Sequence, residues 1–125
     1  MPHLTLEYSG NLRSNFKFDE LFSRLHNVLA EVGGIAKGNC KSRAIERDRF
    51  FVGEGDNAGF VHLDVRFLEG RTPELKQEIG LGILAILREY YASESEVGAP
   101  QVTVEIHDIE RAAYFKFPEG TLDVR

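Results

Sequence analysis

The chain has 125 residues, of which 42% are hydrophobic and 28% charged, a composition typical of one soluble globular domain spanning residues 1–125. Its formal net charge of −5 argues against a nucleic-acid or anionic-membrane partner, since either would require a basic face. A few clustered cations can nevertheless bind a small anionic substrate.

Neither a membrane span nor a secretory signal is expected. No apolar run approaches the roughly 20 residues that cross a bilayer, and the opening segment MPHLTLEYSG lacks a basic stretch followed by an apolar one. Cys40 is the single cysteine and cannot form an internal disulfide, which favours a reducing, cytoplasmic location.

The first half of the chain predicts a strand, a helix and a second strand. Over residues 2–8, apolar side chains alternate with polar ones, which is the period of a half-buried strand. Apolar residues at helical spacing then predict a helix from Phe18 to Val32, and Gly33-Gly34 suits its end. Residues 41–46 are interpreted as the returning strand.

The second half repeats this order. Residues 61–67 alternate like the first strand, and Thr72-Pro73 suits the start of a helix that runs from Leu75 to Tyr90. Residues 101–106 are interpreted as the returning strand, and a further strand is expected near 114–117.

The two halves are interpreted as copies of one β-α-β unit. The segments PHLTLEY (2–8) and VHLDVRF (61–67) align at an offset of 59, and the same offset aligns residues 42–46 with 101–105. The units span about 2–59 and 60–118. This predicts an α+β fold, a tandem β-α-β repeat with two helices on one face of a mainly four-stranded sheet. Because the other face and several phenylalanines would remain uncovered, we expect a closed oligomer.

Pro2 is the principal candidate for catalysis. If Met1 is trimmed, Pro2 acquires a free secondary amine at the start of a strand, and burial beside cations would favour its neutral form. A neutral amine can take a proton from one carbon and return it to another. The repeat places Val61 at the corresponding position, so only the first unit can carry this chemistry.

Three cations are the candidate substrate-binding residues. Arg71 precedes the second helix, whose N-terminus adds free N–H groups, and arginine binds carboxylates through two parallel hydrogen bonds. Lys41 and Arg43 lie two apart on a strand and therefore share a face. A substrate with two carboxylates could bridge these positions. Arg13 is the repeat counterpart of Arg71, and either of the pair could be solvated instead.

Other chemistries find no support in local spacing. His3 and His62 are repeat counterparts that could relay protons, although structural hydrogen bonding is the favoured interpretation. No HxxxH or CxxC spacing predicts a metal site, and no glycine-rich phosphate loop predicts a nucleotide cofactor. Local spacing therefore gives no support for a metal site.

Four segments carry a resemblance to a known family: PHLTLEYSGNLR (2–13), GNCKSRAIE (38–46), FVHLDVRFLEGRTPELKQ (60–77) and VEIHDIERAAYFKFPEG (104–120). Together they resemble the 5-carboxymethyl-2-hydroxymuconate Δ-isomerase family of the tautomerase superfamily. Pro2 and Arg71 match the family's catalytic proline and one of its arginines. The family usually has Arg-Ser-Arg where this chain has Lys41-Ser42-Arg43, and lysine lacks the planar fork of arginine.

The resemblance implies a homotrimer, an amino-terminal proline as base and no cofactor. It also implies proton movement along a conjugated polycarboxylate in the bacterial breakdown of homoprotocatechuate. Two alternatives remain open. One is another reaction on the same scaffold, such as tautomerisation of a phenylpyruvate-like enol or hydration of an unsaturated acid. The other is a non-catalytic oligomeric binding module.

Overall fold

A computed structural model describes residues 1–12, 17–55, 58–92 and 100–118. Its strands are β1 (His3–Ser9), β2 (Lys41–Arg47), β3 (Phe60–Leu68) and β4 (Gln101–Ile109), and its α-helices are α1 (Phe18–Glu31) and α2 (Pro73–Tyr91). The sheet order is β2-β1-β3-β4. β1 pairs with β2 and β3 with β4 in parallel, whereas β1 and β3 are antiparallel. The predicted fold, two helices on a four-stranded sheet of two β-α-β units, is confirmed.

The core lies between the sheet and the helices. Alternate residues of the central strands are fully buried, and each helix presents a stripe at i, i+4 and i+8 to them. The helix stripes are Leu21, Leu25 and Leu29 on α1, and Ile79, Ile83 and Leu87 on α2.

The opposite side of the sheet has no helix over it within the described chain. We call this side the open face, and it carries His3, Thr5, Glu7, Lys41, Arg43, His62, Asp64, Arg66, Thr103, Glu105 and His107. Its polar character follows from the strand period of two, which sends the apolar residues toward the helices.

The helix boundaries follow the predicted signals. The Thr72 hydroxyl accepts a hydrogen bond from the Leu75 amide at 3.1 Å, and Pro73 opens α2. α1 ends before Gly33 and Gly34, and Gly34 has a φ of +69° that suits a residue without a Cβ.

Two details of the prediction are wrong. Lys41 lies beside His3, but the residue beside His62 is Thr103, so the last strand is displaced by three residues from the predicted offset. The longer α2, with 19 residues against 14 in α1, accompanies this shift. Residues 114–117 form no strand, because β4 ends at Ile109 and a short 3-10 turn over Arg111–Ala113 redirects the chain.

Two exposed aromatic side chains lie in the segment after that turn. Phe115 and Phe117 are 87% and 95% exposed, so the described chain does not bury them. Among the described residues, no helix is both long enough and apolar enough to cross a membrane.

Candidate active site

Pro2 lies at one end of the sheet, where β1 and β2 begin and β3 and β4 finish; we call this the Pro2 end. The Lys41 amide donates a hydrogen bond to the Pro2 carbonyl at 3.0 Å. Pro2 is buried, and Met1 is only 1% exposed. Side chains alternate between the two faces along a strand, so Pro2 shares a face with Leu4 and Leu6. Those two residues are buried in the core, which places Pro2 on the helix side of β1.

His3 links β1 to two other segments on the open face. Its Nδ1 lies 3.0 Å from an Arg43 guanidinium nitrogen, and its Nε2 lies 3.2 Å from the Tyr114 hydroxyl. Because a guanidinium only donates, Nδ1 must accept and Nε2–H must donate. Burial lowers the pKa of His3, and the charges of Arg43 and Lys41 and the chain's terminal ammonium lower it further. The imidazole is therefore neutral at neutral pH.

Lys41 and Arg43 point to the open face, as their spacing predicted. Arg43 lies beside β1, where it also donates to the Thr5 hydroxyl at 3.4 Å. The Lys41 ammonium donates to the Asn39 carbonyl at 3.0 Å. Both side chains are exposed, so both can reach an anionic ligand in solution.

Arg71 occupies a different environment. It is 5% exposed, its Nε donates to the Gly33 carbonyl at 3.0 Å, and an Nη donates to the Leu68 carbonyl at 3.5 Å. The guanidinium carbon also lies 5.1 Å from the centre of the Phe67 ring. This guanidinium joins the end of α1 to the end of β3 on the helix side of the sheet.

The fold thus brings the four predicted site residues to the Pro2 end but divides them between its two sides. Pro2 and Arg71 lie on the helix side, whereas Lys41 and Arg43 lie on the open face. Arg13, the predicted counterpart of Arg71, lies outside the described residues. Sequence reasoning missed Tyr114, because no local pattern predicts that the chain beyond β4 turns back to His3.

A groove of about 600 Å³ lies elsewhere, between α2 and β4. Its lining is mostly apolar and includes Leu81, Leu84, Val102, Val104 and Ile106. Pro2, Lys41, Arg43 and Arg71 do not line it, and its one cation, Lys76, is paired with Asp108 at 3.2 Å. The groove therefore offers neither a base nor paired cations for a polycarboxylate.

One group among the described residues has the side-chain types and spacing to hold a metal ion. Ligand atoms of His62, Asp64 and Glu105 all lie within 4.8 Å of one another on the open face. Local spacing gave no sign of this group, because the pairing of β3 with β4 creates it.

The chain is similar to known isomerases in both sequence and fold. The family model described as 5-carboxymethyl-2-hydroxymuconate isomerase matches residues 2–119. The 5-carboxymethyl-2-hydroxymuconate Delta-isomerase of Escherichia coli is 25% identical over 117 residues, which cover 93% of each chain. A crystal structure of a 5-carboxymethyl-2-hydroxymuconate isomerase from Deinococcus radiodurans R1 is 30% identical, with a TM-score of 0.82 over 92% of this chain and 87% of that one.

A more distant structure shares the fold alone. It is described as a Q0 fused 4-OT wild-type symmetric trimer, and it is 18% identical with a TM-score of 0.73 over 97% of this chain and 95% of that one. The family model spans nearly the whole chain, and the relatives match it over nearly their full lengths. The chain is therefore an isomerase and belongs to the 5-carboxymethyl-2-hydroxymuconate isomerase family.

Proposed function

We propose that the chain moves a proton along a conjugated hydroxymuconate-type polycarboxylate, with the Pro2 amine as the general base after removal of Met1. The observation that carries this proposal is the position of Pro2, buried at the first residue before β1 with three cations at the same end of the sheet. The names of the relatives, 5-carboxymethyl-2-hydroxymuconate isomerases, support this substrate class. In this proposal the reaction belongs to the breakdown of homoprotocatechuate, as the family resemblance implies.

The reaction needs no change of oxidation state. The neutral Pro2 nitrogen takes a proton from the substrate's enol and becomes a secondary ammonium, which leaves a conjugated dienolate. The ammonium then returns that proton to a carbon farther along the conjugated system. Burial and nearby positive charge favour the neutral amine at the start of this cycle.

Lys41, Arg43 and Arg71 hold the carboxylates and stabilise the negative charge of the dienolate. The proposal assigns the exposed pair, Lys41 and Arg43, to the carboxylates that approach from the open face. Arg71 supplies positive charge from the helix side, where its Nε and one Nη already bond main-chain carbonyls. A substrate acid that carries only one carboxylate should need only one of these cations.

His3 positions Arg43 in this proposal. A neutral imidazole accepts from the guanidinium and donates to Tyr114, so one side of Arg43 is fixed before substrate arrives. Loss of that contact should raise KM more than it lowers kcat, because the carboxylate is bound in the ground state as well as in the transition state.

We further propose a closed homotrimer. Pro2 lies on the helix side of the sheet and Arg43 on the open face, so the two would meet most directly if Arg43 served the Pro2 of a neighbouring subunit. The exposed Phe115 and Phe117, and the β2 edge of the open face where Arg43 lies, supply surface for such contacts. The fold relative described as a symmetric trimer supports this arrangement. Sedimentation equilibrium at micromolar concentration should give three chains, and a monomer would overturn the proposal.

The test of Pro2 uses protein whose loss of Met1 is verified by intact mass. Ketonisation of a 2-hydroxymuconate is followed by its ultraviolet absorbance. Pro2→Ala, which keeps a primary amine, should lower kcat about 10²–10⁴-fold. Pro100→Ala alters a proline before β4 and should keep full turnover. Undiminished turnover by Pro2→Ala would reject the amine as the base.

A panel of enol substrates that includes phenylpyruvate enol distinguishes a mono-acid substrate from a polycarboxylate.

A further inference from the structure

We propose that the open face binds one divalent transition-metal ion, of which Zn²⁺ is the reference, through His62, Asp64, Glu105 and His107. This site lies on β3 and β4 and uses neither Pro2 nor the three cations, so it stands independently of the proposed reaction.

Strand register gathers the four side chains. In the parallel pairing of β3 with β4, Asp64 lies beside Glu105 and Arg66 lies beside His107. Val102, Val104 and Ile106 pack against the core, so the odd-numbered residues of β4 point to the open face. Two imidazoles and two carboxylates therefore meet on one side of two adjacent strands. Neutral imidazole and carboxylate are ligands that Zn²⁺ accepts together.

Ligand atoms of His62, Asp64 and Glu105 lie within 4.8 Å of one another, and His107 contacts both carboxylates. His107 Nε2 lies 2.9 Å from Asp64 Oδ1 and 3.2 Å from Glu105 Oε2, and His62 Nε2 lies 3.5 Å from Glu105 Oε1. Nitrogen and oxygen ligands about 2.0–2.1 Å from a tetrahedral zinc stand roughly 3.3–3.4 Å apart. The three separations bracket that value, although His62 and His107 contact different oxygens of Glu105. In this proposal the two imidazoles turn toward one ion when it binds.

Neighbouring contacts orient two of the ligands. His62 Nδ1 lies 2.6 Å from the Thr103 hydroxyl, which leaves Nε2 directed at Glu105. A histidine that binds a metal through one ring nitrogen usually donates a hydrogen bond from the other ring nitrogen. Arg66 Nε contacts Oδ2 of Asp64 at 2.8 Å and leaves Oδ1 on the side of His107.

Charge and exposure also favour a cation here. Among the described residues, the one guanidinium that pairs with these two carboxylates is that of Arg66, so the cluster carries net negative charge when both imidazoles are neutral. The side chains of His62, Asp64 and His107 are 25–35% exposed, and that of Glu105 is 55% exposed. An ion can therefore enter from solvent, while partial burial strengthens its attraction to the carboxylates.

The test is a calorimetric titration of the full chain with ZnCl₂ after chelator treatment and dialysis. We expect one Zn²⁺ per chain with a Kd in the micromolar range or below, and Co²⁺ should give visible d–d bands of a low-coordinate site. The double variant His62→Gln/His107→Gln should lose at least about tenfold in affinity together with the Co²⁺ bands. His26→Gln, which alters a half-buried histidine of α1, should keep both.

Two results would overturn the proposal. One is the absence of a one-to-one Zn²⁺ isotherm at micromolar concentration. The other is an equal Kd in the double variant and in His26→Gln, since this would place the bound ion elsewhere, for example at the N-terminus and His3. Glu105→Gln, at a more exposed side chain, repeats the test if circular dichroism shows that the double variant is unfolded. It too should weaken Zn²⁺ binding at least about tenfold, and an unchanged Kd would overturn the proposal.

Discussion

Replacement of Arg71 by methionine tests whether its buried guanidinium holds the helix side of the Pro2 end together. Methionine keeps much of the apolar length of the side chain but removes the charge and every donor. The carbonyls of Gly33 and Leu68 then lose this donor, and the Phe67 ring loses its cation.

The expected magnitude follows from these contacts. A hydrogen bond from a charged donor contributes about 1.5–3 kcal/mol, and the 3.5 Å bond to Leu68 belongs at or below the weak end of that range. A desolvated cation over an aromatic ring adds about 1–2 kcal/mol. Burial of the charge in the native state offsets part of this sum. We therefore expect Arg71→Met to lower the free energy of unfolding by about 2–4 kcal/mol.

Urea unfolding followed by circular dichroism, at one fixed protein concentration, measures this change. Arg43→Met is the matched control, because it removes an exposed arginine and should alter the free energy of unfolding by no more than about 0.5 kcal/mol. In the activity assay, Arg43→Met should instead raise KM. Equal stability of the two variants would refute the structural role given to Arg71.

Two further predictions concern His3 and the end of α1. The pKa of the His3 imidazole is lowered from 6.5 in the folded chain, so on acidification the unfolded chain binds a proton at His3 before the folded chain does. The free energy of unfolding should therefore fall as the pH drops below 6.5. Urea titrations should show a shallower fall with pH for His3→Gln, and an unchanged pH dependence would contradict the assignment. Gly33→Ala places a Cβ 2.8 Å from the Leu29 carbonyl oxygen and 3.1 Å from Ile79 Cδ1, so it should lower the free energy of unfolding by about 1–3 kcal/mol. Gly38→Ala is the control, because no atom lies within 4 Å of its Cβ, and it should change the free energy of unfolding by less than about 1 kcal/mol. Equal thermal midpoints for the two alanine variants would refute the close packing at Gly33.

Local sequence patterns were sufficient to predict the helices and the four strands. Alternation marked β1 and β3, helical spacing marked both helices, and Thr72-Pro73 and Gly33-Gly34 marked their ends. These signals act within a few residues, so they are readable without the partner elements. The expected strand near 114–117 was wrong because strand formation there would have required a pairing partner that the described chain does not supply.

The amino-acid sequence by itself determined that Pro2 begins a strand, that Lys41 and Arg43 share a face, and that Arg71 precedes a helix. Only the tertiary structure decided that Arg71 is buried against main-chain carbonyls while Lys41 and Arg43 stay exposed on the opposite side of the sheet. It alone brought Tyr114 to His3 and two histidines to two carboxylates on β3 and β4. The physical reason is that side-chain spacing is set along the chain, whereas burial and contact depend on the register between strands that are far apart in sequence.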